Sequence, residues 1–214
     1  MIPPDNQTSH IGNPARARQG VAGSVRESIG NVNFATLTAR YHALLAIKMS
    51  PGMFYLDFVV YPVLILGCLL LAFTATPSYE ALVLAGIVLS GFVTWTLPEY
   101  GLHRLVLHHL PRLEAIHHAH HDAPKALIGT PTVVSVAAFI GLAFAPAMAL
   151  AGLRGASAWM AGLLTGYLFY VLAHYAVHHF GTRKSRWLMM LKRHHALHHY
   201  RAGLSYFGVT TRVW

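Results

Sequence analysis

Four long apolar stretches, separated by short polar ones, dominate the pattern of this chain. Residues 58–73, 81–97, 131–150 and 156–173 run almost without charge. About 17–25 apolar residues suffice to cross roughly 30 Å of hydrocarbon. Extending each stretch to its polar flanks predicts helical spans at about 57–75, 81–98, 131–150 and 156–174. Short connections at 74–80 and 151–155 join them into two hairpins that are alike in plan. Pro62 and Pro146 fall inside spans, which is tolerated where neighbouring helices satisfy the backbone groups a proline frees. Ahead of the first span, residues 1–33 are rich in Gly, Ser, Asn, Pro and Arg and show little apolar periodicity. A flexible arm is expected there. It has no continuous apolar core, so it does not read as a secretory signal peptide. Residues 34–49 (FATLTARYHALLAIKM) space their apolar positions helically around Arg40 and Lys48, as a helix lying on a bilayer surface does. The predicted organisation is an arm and interfacial helix over 1–50, then one membrane domain over 51–214.

Composition supports lipid as the solvent. Hydrophobic residues make up 55% of the chain and charged residues only 11%, against about 25% charged in a soluble globular protein. The single cysteine, Cys68, excludes a disulfide framework and any cysteine-based zinc module. The net charge of +9 comes from 16 Lys and Arg against 7 acids, and its distribution is informative. Arg16, Arg18, Arg26, Arg40 and Lys48 precede the first span, Arg104, Arg112 and Lys125 lie between the hairpins, and seven more follow the fourth span. The two short connections hold only Arg154. Loops rich in Lys and Arg stay on the cytoplasmic side, so both termini and the middle segment are expected there. Topology accounts for the charge, and no nucleic-acid partner is needed to explain it.

Histidine is the unusual residue. There are 16, and 14 of them fall between positions 103 and 199. They form four clusters: His103, His108 and His109; His117, His118, His120 and His121; His174, His178 and His179; and His194, His195, His198 and His199. With the topology above, all four emerge on the cytoplasmic face. On a helix, positions i and i+4 share a face and i+3 lies alongside. His174 and His178 therefore converge, and His117/His120/His121 and His195/His198/His199 form two matching trios. His103 and His108, at i and i+5, stand about 140° apart on an ideal helix; they need a local unwinding or serve different metals. Grouped neutral imidazoles at such spacing are metal ligands of the kind iron, zinc, copper or nickel accepts. Ten ligands exceed one ion's coordination number, which implies two metals. His10 and His42 stand alone and read as incidental.

These motifs resemble the fatty acid hydroxylase and sterol desaturase superfamily of membrane di-metal oxygenases, whose pattern HxxxxH, HxxHH, HxxxH(H), HxxHH is matched in order at 103–108, 117–121, 174–179 and 195–199. Glu99-Tyr-Gly-Leu-His-Arg is similar to the E-Y-x-x-H-R of fatty acid 2-hydroxylases, as are His120-His121-Asp-Ala-Pro and the tail Phe207-Gly-Val-Thr-Thr through Trp214. The resemblance covers about residues 95–214. It implies ten ligands: His103, His108, His117, His120, His121, His174, His178, His195, His198 and His199. His109, His118, His179 and His194 are additional or hydrogen-bond the ligands from outside, and Glu99 and Asp122 are acids placed to orient ligand imidazoles. Glu114 reads instead as a solvated residue or a partner of basic side chains. Only eight residues separate His108 from His117, a shorter linker than the 2-hydroxylases have.

The fold the resemblance implies is all-α, an integral membrane four-helix bundle of two hairpins under a cytoplasmic histidine-rich helical cap. The implied activity is an oxidoreductase, a non-haem di-iron monooxygenase acting on lipid acyl chains at the 2-position. Its cofactors are two Fe ions, with zinc able to take their place on isolation, and O2 is the co-substrate. Residues 1–50 leave no room for a fused cytochrome b5 domain, so electrons are expected from an external cytochrome b5- or ferredoxin-like protein and its reductase. The alternatives are a sterol or carotenoid hydroxylase or desaturase of the same superfamily, and, from a different class, a membrane metal-binding or transport protein. A transporter places polar ligands near the bilayer midplane, and only His174, at an edge, lies within a span here. Arg104, Arg112, Lys125, Lys192 and Arg193 around the clusters read as topology signals. Tyr100, Tyr167, Tyr170 and Tyr175 read as an interfacial aromatic belt.

Overall fold

A computed structural model describes residues 49–181, 185–201 and 205–214. The arm and the interfacial helix expected over 1–50 lie outside the described residues, save Met49 and Ser50. The regular elements described are all helical. A short α1 (Pro51–Tyr55) starts where the Ser50 hydroxyl accepts the Met53 N–H, and Pro51 takes the first helical position, where its missing N–H costs nothing. Then come α2 (Asp57–Phe73), α3 (Ser78–Thr94) and α4 (Thr96–Gly101), which passes directly into a π-helical segment, Leu102–Leu107. After α5 (Pro111–Asp122), α6 (Thr132–Ala138) leads through a second π-helical segment, Phe139–Phe144, into the long α7 (Ala145–His179), and α8 is Arg186–Tyr200.

Three helical stretches are long and apolar enough to cross a membrane: Pro51–Phe73, Glu80–Leu107 and Thr132–His179. Their outer faces carry bare aliphatic side chains, with Leu82, Leu142 and Leu150 each about four-fifths exposed or more, at 79%, 83% and 89%. Such faces are stable against lipid and not against water. The third stretch is not straight. Gly152 has φ 65° and ψ 179°, a conformation that glycine adopts without steric cost. The ring centroids of Phe139 and Tyr167 lie 5.2 Å apart, whereas a continuous helix would separate them by about 42 Å at 1.5 Å per residue. The chain therefore folds back at Gly152, inside the connection expected at 151–155.

The second half of α7 is the centre of the bundle and packs along both α2 and α3. Against α3 the two backbones nearly touch. A Cβ on Gly162 would sit 1.9 Å from the Val88 carbonyl oxygen, and one on Gly91 would sit 2.1 Å from that of Trp159. Small residues allow this approach, which gains dispersion energy where lipid offers no hydrophobic driving force. Gly162→Ala is therefore expected to destabilise the protein by at least about 1–3 kcal/mol, the usual cost of overpacking. Gly86→Ala, with no atom within 4 Å of the added carbon, should be neutral or slightly stabilising. Thermal unfolding of both variants in detergent measures the contrast, and equal behaviour would mean that the helices do not meet at Gly162.

At the end of the bundle nearest the histidines, a buried polar knot joins α2, α6 and α7. The Asp57 carboxylate accepts from the Thr132 hydroxyl at 2.6 Å and the Tyr167 hydroxyl at 3.0 Å. Tyr61 donates to Ser135 at 2.7 Å, and Ser135 donates to the Thr132 carbonyl at 3.0 Å. Buried polar groups need such pairing to avoid the cost of desolvation. Tyr61, Tyr167, Trp95, Met160, Leu163 and Leu164 form the apolar core beside it. A second core of Ala173, Val177, Leu188, Leu191 and Val209 joins the end of α7 to α8 and to the C-terminal segment. Together these contacts fix the ends of α7 and α8, which carry two of the histidine clusters.

Candidate metal centre

The i, i+5 pair is reconciled by the first π-helical segment. Its wider turn closes i→i+5 hydrogen bonds, and it ends at His108. The rings of His103 and His108 consequently stand 5.4 Å apart at 27°, close to parallel. Both enter the same group, so the wide turn replaces the unwinding that ideal α-geometry would require.

Ten histidines assemble into two groups of five, His103, His108, His117, His121 and His198, and His120, His174, His178, His195 and His199. Within each group, one ring nitrogen from every member lies within 4.8 Å of the others. Neither trio stays together. On α5, His117 and His121 point into the first group and His120 into the second; on α8, His195 and His199 join the second and His198 the first. The exchange gives the site an approximate two-fold symmetry relating 103/108, 117, 120 and 121 to 174/178, 195, 198 and 199. Equivalent ring separations agree: 4.7 Å for His103–His117 and 4.8 Å for His174–His195, 4.5 Å each for His117–His121 and His195–His199. His121 and His199, equivalent across this axis, stack at 4.1 Å and 13°. The groups are thus in direct contact.

The spacing within each group suits a coordinated cation. Metal–nitrogen bonds of about 2.0–2.1 Å place adjacent ligand atoms about 2.9 Å apart at right angles. In the first group the Nε2 atoms of His103 and His117 stand 3.1 Å apart, those of His117 and His121 2.9 Å, and those of His108 and His198 3.3 Å. In the second, His174 and His178 stand 3.2 Å apart and His178 and His195 2.9 Å. Both ring nitrogens of His120 and of His199, and Nδ1 of His195, are buried with no hydrogen-bond partner among the described residues. Buried nitrogens without partners are costly unless something else fills the role. Metal coordination by imidazole fills it, so the donor set fits.

Two ligand orientations in the first group are set by the C-terminal segment. His103 Nδ1–H donates to the Phe207 carbonyl at 2.6 Å and His198 Nδ1–H to that of Ser205 at 2.8 Å. This assigns the tautomer and leaves Nε2 of each ring with a lone pair facing the group. Outside the spans, burial pushes imidazoles down from the ordinary 6.5, and repulsion from neighbouring imidazoles pushes them further. His108 falls to about 4, His199 to about 3, and His120 and His121 to about 2. His117, His195 and His198 move the same way, burial again being the main cause. These side chains are neutral at neutral pH, the state a metal requires.

The four adjacent histidines stay outside both groups. His109 Nδ1 meets the Arg104 carbonyl at 2.8 Å, His118 lies 3.5 Å from Glu114 on an exposed face, His179 stacks on Tyr175 at 4.2 Å, and His194 packs beside Tyr206 at 5.2 Å. Asp122, at the end of α5, hydrogen-bonds to no histidine of either group. Glu99 is buried, but its carboxylate holds the backbone of Val209 and Thr210 rather than an imidazole. The belt reading also needs correction for two tyrosines: Tyr167 sits in the polar knot, and Tyr170 stacks on His174 at 5.8 Å and 17°. Burying two hydroxyl-bearing rings next to Asp57 and the second group outweighs placing them at an interface. Tyr175 does lie outside, its hydroxyl 3.1 Å from that of Tyr55. Arg104 lies over the Tyr100 ring at 5.7 Å and Lys192 donates to the Phe180 carbonyl at 3.1 Å, so both have local partners. Ser205, Phe207 and Asp57 were not among the expected site residues. Ser205 and Phe207 act through backbone carbonyls, which no residue type advertises. Asp57 did leave a signal, as an acid at the edge of an apolar span.

Similarity to known proteins agrees with this geometry. The family model described as Fatty acid hydroxylase matches residues 88–214, more than half of the chain. The fatty acid 2-hydroxylase of Rattus norvegicus is 30% identical over 183 residues, covering 77% of this chain and 48% of that protein. A dihydroceramide fatty acyl 2-hydroxylase of Arabidopsis thaliana, FAH2, is 30% identical over 162 residues, covering 69% and 65%. The solved structure "Full length scs7p (only hydroxylase domain visible)" superposes with a TM-score of 0.63 at 26% identity, covering 75% of this chain and 63% of that one. The chain therefore spans only about half the length of the Rattus protein and less than two thirds of the Arabidopsis one.

Proposed function

This chain belongs to the fatty acid hydroxylase family, and on that premise we propose that it is an integral membrane, di-iron, O2-dependent hydroxylase of lipid acyl chains, acting at the 2-position of a fatty acid or acyl lipid. The observation that carries this reading is the pair of five-histidine groups in contact. His103, His108, His117, His121 and His198 would hold one metal, and His120, His174, His178, His195 and His199 the other. The chemistry that two bound irons would supply is activation of dioxygen, with one oxygen atom going to the C–H bond and the other to water. Two electrons and two protons must come from outside, and an external cytochrome b5- or ferredoxin-like protein with its reductase is the proposed source.

The chain's own residues position and exclude. The Ser205 and Phe207 carbonyls hold His198 and His103 with Nε2 inward. The Phe207 ring lies against His103, His108 and His198 at 5.2–5.6 Å and keeps water from that side. The proposed topology is four spans in two hairpins, the third and fourth meeting at Gly152, with termini and metal groups cytoplasmic under a cap built from α5 and α8. It is supported by the fifteen-to-one distribution of basic residues. A site seated at the helix ends lets an acyl chain slide in sideways from the leaflet.

Lipid mass spectrometry of cells with and without the protein tests the reading. Acyl chains carrying one additional oxygen, localised to carbon 2 by fragmentation, are expected only where the protein is expressed. Oxygen on a sterol or carotenoid instead would redirect the substrate. Unchanged lipids together with altered metal tolerance would replace hydroxylation with transport.

A further inference from the structure

The two metal groups are nearly related by symmetry, yet only one of them is closed by the C-terminal segment. That strap, residues 205–214, enters through Tyr206 at φ 62°, a left-handed conformation that side chains other than glycine, asparagine and aspartate rarely adopt. It turns so tightly at Gly208 that a Cβ there would lie 2.2 Å from the Thr211 carbonyl oxygen. Something must hold a strained segment in place, and Glu99 does. Buried to 4% exposure, its Oε1 accepts the N–H of Val209 at 2.7 Å and of Thr210 at 2.8 Å, and its Oε2 accepts the Thr210 hydroxyl. Two residues earlier, the Phe207 carbonyl accepts a hydrogen bond from His103 Nδ1–H, and the Ser205 carbonyl accepts one from His198 Nδ1–H. The symmetry equivalents of these two ligands are His174 and His120. Val209 packs beside Ala173 and Val177 on the helix of His174, but among the described residues no strap carbonyl accepts from His174 or His120, and both ring nitrogens of His120 are without a hydrogen-bond partner.

We propose that Glu99 is a positioning residue that clamps the C-terminal strap so that its carbonyls orient His103 and His198, making the first metal group dependent on the strap and the second independent of it. Glu99 touches no ligand and acts through the backbone it anchors. Hydrogen-bond acceptance is what it contributes. Outer partners of this kind typically alter metal affinity 10- to 100-fold. The two metals of this site are then inequivalent although their ligand sets match.

The inference rests on the two-metal reading above, and metal content separates the two. The full chain, purified in detergent, is analysed for metal per chain by elemental mass spectrometry. Diethylpyrocarbonate labelling then reports which imidazoles a metal no longer protects. Native protein is expected to hold two metals, with label only on exposed rings such as His118. Native protein without metal would overturn the reading itself before any variant is made. Glu99→Ala is expected to retain one metal and to expose His103, His108, His117, His121 and His198 to label, while His120, His174, His178, His195 and His199 stay protected. Glu99→Gln keeps an acceptor oxygen for both N–H groups and should hold two metals. Thr210→Val, which replaces the hydroxyl with a methyl group of similar size and so removes one hydrogen bond, should raise labelling of the same first group by less than Glu99→Ala does, and it keeps the test alive if Glu99→Ala does not fold. A Glu99→Ala protein with both metals and the native labelling pattern overturns the proposal. So does one that loses both groups equally, since a general loosening of the fold would do that. Glu99→Gln behaving like Glu99→Ala would also overturn it.

Discussion

His120→Ala and His121→Ala are expected to empty different metals, though the two residues are neighbours on one helix. The His120 ring lies 4.8 Å from those of His174 and His178, and the His121 ring 4.5 Å from that of His117. Each variant should hold about one metal per chain in place of two. Hydroxylated product should fall about 100-fold or more in both, because in the proposed reaction the two metals would share the electrons. Metal analysis together with lipid mass spectrometry reads both quantities. The informative experiment is the pairing of variants. His120→Ala combined with His198→Ala opens both groups and should remove both metals. His120→Ala combined with His199→Ala opens only the second group and should leave one. If all single and double variants lost metal alike, the ten imidazoles would form one undivided cluster. Activity surviving in His120→Ala would mean that the second group is not needed for the chemistry.

Much of this was legible in the order of residues. Apolar length marked where long helices lie, because a span must cover a fixed thickness, and among the described residues three helical stretches are long and apolar enough to cross a membrane. Helical periodicity identified which histidines could meet, since i, i+3 and i+4 share a face in any α-helix. What the spacing did not reveal was partition. His117, His120 and His121 read as one trio, yet the angle between i and i+3 was enough to send His120 to a different group where the α5 histidines meet those of α8. The separation of His103 and His108 depended on backbone geometry that sequence periodicity assumes rather than reveals, and a π-turn changed it. The strap was visible as a family-like tail, but its contribution comes from carbonyl oxygens that every residue has. Glu99 was marked as an acid beside the ligand imidazoles, and its carboxylate accepts from the backbone of the strap instead. Asp57 and Tyr167, 110 residues apart, meet only through the packing of α2 on α7.

Acid is expected to destabilise the metal-free protein progressively as pH falls below about 6.5. The direction follows from burial. In the unfolded chain an imidazole takes up a proton near 6.5, whereas in the fold His120 and His121 hold out to about 2, His199 to about 3 and His108 to about 4. Above 6.5 neither state is protonated, and stability does not change with pH on their account. As pH falls below 6.5 the unfolded chain binds protons that the folded chain refuses, so stability is lost progressively until each folded value is reached. For buried His120 alone the loss amounts to about 2 kcal/mol by pH 5. Several such residues acting together would consume a total stability of roughly 5–15 kcal/mol. Bound metal opposes the protons, since coordination requires the neutral ring. The metal-loaded protein should therefore resist acid to a lower pH than the same protein in chelator. Thermal unfolding in detergent between pH 8 and 4, with and without chelator, measures both effects. A metal-free protein equally stable at pH 7 and pH 5 would mean that these imidazoles protonate freely in the fold, and a site that admits protons so easily would not keep ten ligands ready for metal.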